Sequence, residues 1–213
     1  MSLPAINPDA VLWSVPEEER AGRPLLLLLH GYGSNEADLF GLVPHLPEAP
    51  VIASLRAPLQ APWPIDGWSW FPLAVPGAPD PAGLDASVDA IIAWIDALPF
   101  TPTSVAAAGF SQGGAMSVHL LRRAPERFAF AGNLAGFVVA GDQPGDAILQ
   151  ETRPPVFWGR GSADTVISDE AVARTTDWLP DHSTLSGRIY EGLDHSISGP
   201  ELADLRAFLD RQY

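Results

Sequence analysis

The sequence predicts an α/β fold, with a mostly parallel central sheet and helices on both faces. Three observations carry this. Residues 25–29 are five consecutive leucines, without the alternation of a half-exposed strand, as expected of a strand buried on both sides. Strand-like apolar runs alternate with helical periodicity along most of the chain, which implies parallel strands joined by crossover helices. The third is Val105-Ala-Ala-Ala-Gly-Phe-Ser-Gln-Gly-Gly114, a short buried strand turning sharply into a helix.

The elements follow in order. Residues 11–15 read as an edge strand, 25–30 as a buried strand and 51–55 as the next. Residues 84–98 carry Leu84, Val88, Ile91, Ile92, Ile95 and Leu98 at helical spacing, an apolar stripe that must face a core. Residues 105–110 form the strand before the turn, and 112–123 the helix after it. Residues 128–136 and 155–159 read as further strands. Between 137 and 153 there is room for a loop and a short helix but no large cap. Ser168 caps a helix over 169–179, residues 188–190 make a last short strand, and the final helix starts near Pro200 and buries Leu202, Leu205, Phe208 and Leu209. The whole chain, 1–213, is expected to be one domain.

One segment breaks the rhythm. Residues 57–83 hold Pro58, Pro62, Pro64, Pro72, Pro76, Pro79 and Pro81 together with Trp63, Trp68, Trp70 and Phe71. That many prolines exclude a central strand or a helix interior, yet the aromatics need burial. Either the segment is an ordered loop covering a flank of the core, or it walls an apolar substrate pocket.

Composition removes whole classes of chemistry. The chain has no cysteine, and its 12 basic residues are all arginine. There is thus no disulfide, thiolate or lysine chemistry to consider. A net charge of −14 disfavours nucleic acid and anionic membranes. The first residues lack the charged and apolar regions of a signal peptide, and no aliphatic run approaches the ~18 residues of a membrane span. A soluble, cytoplasmic protein without stable membrane association is expected.

The pattern Gly109-Phe-Ser-Gln-Gly113 puts Ser111 on a strained strand-to-helix turn with its hydroxyl exposed above the sheet, and the flanking glycines allow strand and helix to pass closely. A serine hydroxyl needs a base within hydrogen-bond reach and a group to orient that base. His195 follows the last strand and precedes the last helix, where the base belongs; His30, His45, His119 and His182 read as structural or solvated. For the acid, Asp164 emerges from a glycine-bearing turn after the 155–159 strand, at the sheet edge where ligands bind. It is favoured over Asp169, which faces a helix N-terminus, and over Asp194, adjacent to His195. An oxyanion hole would take one backbone N–H from Gln112 and another from the loop His30-Gly-Tyr-Gly-Ser-Asn35, with Tyr32 the favoured donor.

These residues resemble those of the phospholipase/carboxylesterase family of small α/β-hydrolases. The resemblance rests on His30-Gly-Tyr-Gly-Ser-Asn-Glu-x-Asp-Leu39, Arg56-Ala-Pro-Leu59, residues 68–71, Gly109-Phe-Ser-Gln-Gly-Gly114, Gly161-Ser-Ala-Asp164 and Asp194-His195. It implies an α/β-hydrolase fold without a large cap domain, a triad of Ser111, His195 and Asp164, and an oxyanion hole from the Tyr32 and Gln112 amides. Gly31, Trp68, Trp70 and Phe71 are expected at the substrate, the last two near the acyl group. One departure is Leu134-Ala-Gly136, where many relatives have Leu-Ser-Gly.

The implied activity is hydrolysis of short- to medium-chain carboxylic esters through an acyl-enzyme, with no metal and no organic cofactor. The alternatives are a thioesterase or lysophospholipase on the same triad, amide hydrolysis, or a ligand-binding homologue without turnover. A small-molecule ester is the expected partner; dimers occur in the family, so a homodimer belongs to the same expectation.

Overall fold

The chain alternates strands and helices: β1 (Leu12–Trp13), β2 (Leu25–Leu29), α1 (Glu36–Phe40), β3 (Val51–Leu55), β4 (Leu59–Gln60), β5 (Trp68–Ser69), β6 (Leu73–Val75), β7 (Ala78–Pro79), α2 (Pro81–Asp96), β8 (Val105–Phe110) and α3 (Gln112–Arg123). It continues through β9 (Ala131–Leu134), α4 (Asp146–Thr152), β10 (Pro155–Gly161), α5 (Asp169–His182), β11 (Thr184–Tyr190) and α6 (Gly199–Leu209). The computed structural model describes residues 4–75 and 78–213. The expectations touching Met1, Ser2 and Leu3, and Pro76 in the proline-rich segment, lie outside the described residues.

Seven strands form one sheet in the order β1-β3-β2-β8-β9-β10-β11. Only β1 runs antiparallel to its neighbour; the remaining pairs are parallel. The leucines of β2 explain why the strand lies inside. Leu25, Leu27 and Leu29 enter the core beneath α2, α3 and α5, whereas Leu26 and Leu28 enter a second core with Leu39 of α1 and Leu205, Phe208 and Leu209 of α6. Two apolar layers on one strand are what the uninterrupted leucine run encodes. This is the mostly parallel, helix-covered sheet that the sequence predicts, and α4 is the only helix between β9 and β10 among the described residues, so no cap domain is inserted there.

Several boundaries differ from expectation, three of them informatively. The last strand spans seven residues, paired throughout with β10. At the sheet edge its Thr184, Gly187 and Arg188 stay exposed, so it lacks the apolar run that marks an inner strand. Conversely β9 is shorter than 128–136: its pairing begins only at Ala131, and past Leu134 the chain turns away at Ala135, whose φ is 48°. Helix α5 runs on to His182 with Pro180 inside its last turn. The proline-rich segment holds no central strand, but it folds into two small antiparallel ribbons, β4–β5 and β6–β7, edge-like pairings that proline tolerates.

Candidate active site

The turn between β8 and α3 stores backbone strain at one residue. Ser111 lies at φ 55° and ψ −114°, a region sparsely populated by non-glycine residues. Its N–H donates to the Leu134 carbonyl at 2.8 Å, which ties the turn to β9. A Cβ on Gly109 would come within 2.3 Å of the Gly113 backbone, and one on Gly113 within 1.9 Å of the Leu29 carbonyl oxygen. Strand and helix therefore meet as closely as expected, and the serine side chain stands at their junction.

The loop between β11 and α6 brings His195 to that hydroxyl. Its Nε2 lies 2.8 Å from Ser111 Oγ, and its Nδ1 lies 2.7 Å from Asp164 Oδ2. The Nδ1 proton donates to the carboxylate, which leaves Nε2 free to accept the serine proton. Asp164 Oδ1 is itself held by the N–H groups of Val166 at 2.8 Å and Ile167 at 3.2 Å. The Asp164 side chain is 6% exposed and that of His195 16%, so the acid is shielded and the base open to one side. The Phe110 ring packs against the imidazole with centroids 4.9 Å apart.

The rejected candidates sit elsewhere. Asp169 occupies the first turn of α5, and Asp194 accepts from Ser196. His119 is buried against Asp85, His182 stacks on Trp178, and His45 lies in a short 3-10 turn. His30 is fully buried beneath the loop that bears Tyr32.

That loop is held on both flanks. Gly33 N–H donates to the Trp68 carbonyl and Trp68 N–H to the Ser34 carbonyl, both at 2.8 Å, while Ser34 N–H bonds the Gly31 carbonyl at 3.3 Å. Gly33 adopts φ 75°, and a Cβ on Gly67 would meet the Gly33 oxygen at 2.0 Å, so the first glycine is dictated by its left-handed backbone and the second by close backbone approach. Tyr32 N–H has no protein acceptor among the described residues. Gln112 is the first residue of α3, so its N–H lacks an intrahelical partner. Below, Arg56 pairs with Glu36 and lies 5.0 Å over the Trp68 ring. The Arg56 hydrogen bond holds the Glu36 carboxyl below its ordinary range.

Two expectations need correcting. Trp70 and Phe71 offer no surface to a substrate; both are 0% exposed in the core beneath α2. Trp63, in contrast, is 93% exposed. The space beside the Tyr32 loop is a cavity of about 290 Å³ lined by Tyr32, Leu59, Gln60, Pro62, Ser69, Pro72 and Leu73. Leu59 and Pro62 figured in the sequence only as part of a motif and of the proline run, and Leu73 not at all; short ribbons give none of them the periodicity that would mark a pocket wall, so prolines and aromatics signalled the segment but not its lining. A larger cavity of about 510 Å³ lies on the flank of β1 and α2, around Trp13 and Trp94, and contains none of the groups just described.

A nucleophile elbow on a helix-covered parallel sheet, with an imidazole and a carboxylate brought to it by later loops, defines an α/β-hydrolase. A family model for phospholipase/carboxylesterase matches residues 12–212. The chain belongs to that family. It is 28% identical over 212 residues to the rice (Oryza sativa subsp. japonica) protein described as "Probable carboxylesterase Os04g0669500", covering 88% of this chain and 77% of the relative. It is 29% identical over 224 residues to acyl-protein thioesterase 1 of Mycosarcoma maydis, with coverage of 87% and 90%. The crystal structure of esterase PE8 superposes with a TM-score of 0.79 at 24% identity, over 97% of this chain and 99% of that one, a likeness of fold.

Proposed function

We propose that the protein is a serine carboxylesterase that hydrolyses short- to medium-chain esters through an acyl-enzyme. The observation that carries this is the hydrogen-bonded series Ser111, His195 and Asp164, with contacts of 2.8 and 2.7 Å. In this reading Ser111 Oγ attacks the ester carbonyl while His195 Nε2 takes its proton. Asp164 fixes the tautomer of His195 and stabilises the imidazolium. The developing oxyanion is held by the Tyr32 and Gln112 amides. His195 then protonates the departing alcohol, and water repeats the sequence on the acyl group.

The cavity of about 290 Å³ beside Tyr32 is the proposed acyl site. Its volume is at the low end of small-molecule pockets, and its leucine and proline walls suit a short or medium alkyl chain. The charge of −14 supports a neutral ester arriving from water rather than a lipid surface. Among the described residues no helix is long and apolar enough to cross a membrane. A cytoplasmic location belongs to the same reading and is checked by fractionating the native cell. Thioester hydrolysis is the second reading, favoured by the similarity to an acyl-protein thioesterase.

Hydrolysis of p-nitrophenyl esters from acetate to palmitate, by the wild type and Ser111→Ala, tests the proposal. Turnover peaking at short or medium chains and abolished by the substitution is expected. Activity that survives Ser111→Ala would overturn the serine mechanism, and preference for acyl thioesters over the matched esters would move the assignment to a thioesterase.

A further inference from the structure

His30 is fully buried, yet both ring nitrogens are engaged. Ala57 N–H donates to Nε2 at 3.1 Å, so that nitrogen carries no proton and the neutral ring bears its proton on Nδ1. Nδ1–H in turn donates to the Gly31 carbonyl at 2.7 Å. Burial is the largest influence on this ring and holds its pKa below the ordinary 6.5, against the raising effects of the Gly31 carbonyl, Asp38 and Glu36.

The consequence falls on the next amide. The cis peptide among the described residues is Trp63–Pro64, so the Gly31–Tyr32 peptide is trans, with its C=O and N–H pointing to opposite sides of one rigid plane. A carbonyl pinned toward the His30 ring turns the Tyr32 N–H away from it. The preceding peptide is also fixed, because Trp70 Nε1–H donates to the His30 carbonyl at 2.8 Å. The next two amides, Gly33 and Ser34, are already spent on Trp68 and Gly31.

We propose that His30 is a positioning residue, whose Nδ1–H bond to the Gly31 carbonyl sets the rotation of the Gly31–Tyr32 peptide and so aims the Tyr32 amide at the oxyanion. The inference rests on the serine-esterase reading above. Its physical content is preorganisation: a donor already oriented costs no rotation when charge develops. Without the bond the Gly31 carbonyl keeps only the longer Ser34 N–H contact of 3.3 Å, and glycine on the leading side of the peptide lets it roll more freely.

The two nitrogens can be separated by substitution. An asparagine amide nitrogen falls near the Nδ1 position, and a glutamine reaches the Nε2 position. His30→Asn therefore keeps a donor for Gly31, whereas His30→Gln keeps a partner for Ala57 and loses the donor. With p-nitrophenyl butyrate, kcat of His30→Gln is expected to fall about 10–100-fold at nearly unchanged KM, and His30→Asn to retain most of it. Affinity for a trifluoromethyl ketone, which needs the oxyanion contacts, should fall in parallel with kcat/KM. Equal kcat and equal ketone affinity in the two variants would overturn the positioning role, while a dead Ser111→Ala control leaves the serine mechanism standing. An active Ser111→Ala would instead sink the underlying reading. The wild type gives a check independent of variant folding: the assigned ¹⁵N resonances of His30 should report the Nδ1–H tautomer at pH 7, and an Nε2–H tautomer or an imidazolium would refute the proposal.

Discussion

Gln112 holds Trp70 through its side chain. Its Oε1 accepts the Trp70 N–H at 2.8 Å, and its Nε2 donates to the Phe71 carbonyl at 2.8 Å. The residue whose backbone begins the nucleophile helix thus also anchors the segment that braces the Tyr32 loop, since Trp70 Nε1–H bonds the His30 carbonyl. The two proposed oxyanion donors are tied together by this one buried amide.

Gln112→Ala keeps the backbone N–H but strands the Trp70 N–H in the core and removes one of the two donors to the Phe71 carbonyl, which keeps Ser69 Oγ–H at 2.7 Å. Each unsatisfied buried group costs about 1–3 kcal/mol. Unfolding free energy should drop by roughly 1–3 kcal/mol on that account, with kcat falling more than KM rises. Urea denaturation and p-nitrophenyl butyrate kinetics check both; a variant as stable and active as the wild type would show that the anchor is dispensable.

Ser111 pays for its exposed hydroxyl with backbone strain. A side chain at φ 55° and ψ −114° costs on the order of 1–3 kcal/mol, a cost glycine avoids. Compared with Ser111→Ala, Ser111→Gly should therefore be more stable by about 1 kcal/mol, after the greater entropy of its unfolded chain is deducted. Both should be inactive. Thermal unfolding of the pair decides the point: a glycine variant less stable than the alanine would mean that the turn is unstrained.

The legible part of the molecule was the part with a strong local pattern. The leucine run of β2, the glycine-flanked Ser111 and the loops ending in Asp164 and His195 each follow from spacing and element order, and the last three side chains lie in hydrogen-bond contact. What escaped depended on contacts distant in sequence. Nothing local distinguishes the buried Trp70 from the exposed Trp63, because each is an aromatic in a proline-rich run. The placement of Trp70 rests on contacts such as that with Gln112, 42 positions away. Likewise β11, with its exposed Thr184 and Arg188, owes its length to pairing with β10 rather than to its own composition.

Two glycines offer a sharp contrast. In Gly113→Ala the new Cβ meets the Leu29 carbonyl oxygen at 1.9 Å, whereas at Gly199 nothing lies within 4 Å. The first substitution must push α3 away from β2 and should cost more than about 4 kcal/mol, among the largest single-residue effects. The second lies in the first turn of α6 and should stabilise by about 0.4–1 kcal/mol through the unfolded chain. Expression and thermal melts of both variants test this, and a well-folded, active Gly113→Ala would contradict the tight crossing.

Two buried titratable groups oppose each other as pH changes. Burial lowers His119 from 6.5 to about 4, outweighing its contact with half-exposed Asp85, which acts to raise it. Burial also raises Glu201, beneath the Ser198 cap of α6, from 4.5 to about 7. At 1.36 kcal/mol per pH unit each displacement is worth roughly 3 kcal/mol. For His119 the native state refuses a proton that the unfolded chain binds, so its stabilisation is complete above 6.5 and lost as pH falls toward 4. For Glu201 the native state keeps a proton that the unfolded chain releases, so its contribution is full below 4.5 and lost as pH rises toward 7. Between 4.5 and 6.5 the two slopes nearly cancel. Glu201→Gln preserves the capping partner of Ser198 but removes one slope, so its unfolding free energy should fall more steeply than that of the wild type as the solution is acidified through this window. His119→Gln should do the reverse and lose stability as pH rises. Denaturant titrations at half-unit pH steps measure both; parallel profiles for Glu201→Gln and wild type would show that Glu201 is already ionised in the folded protein.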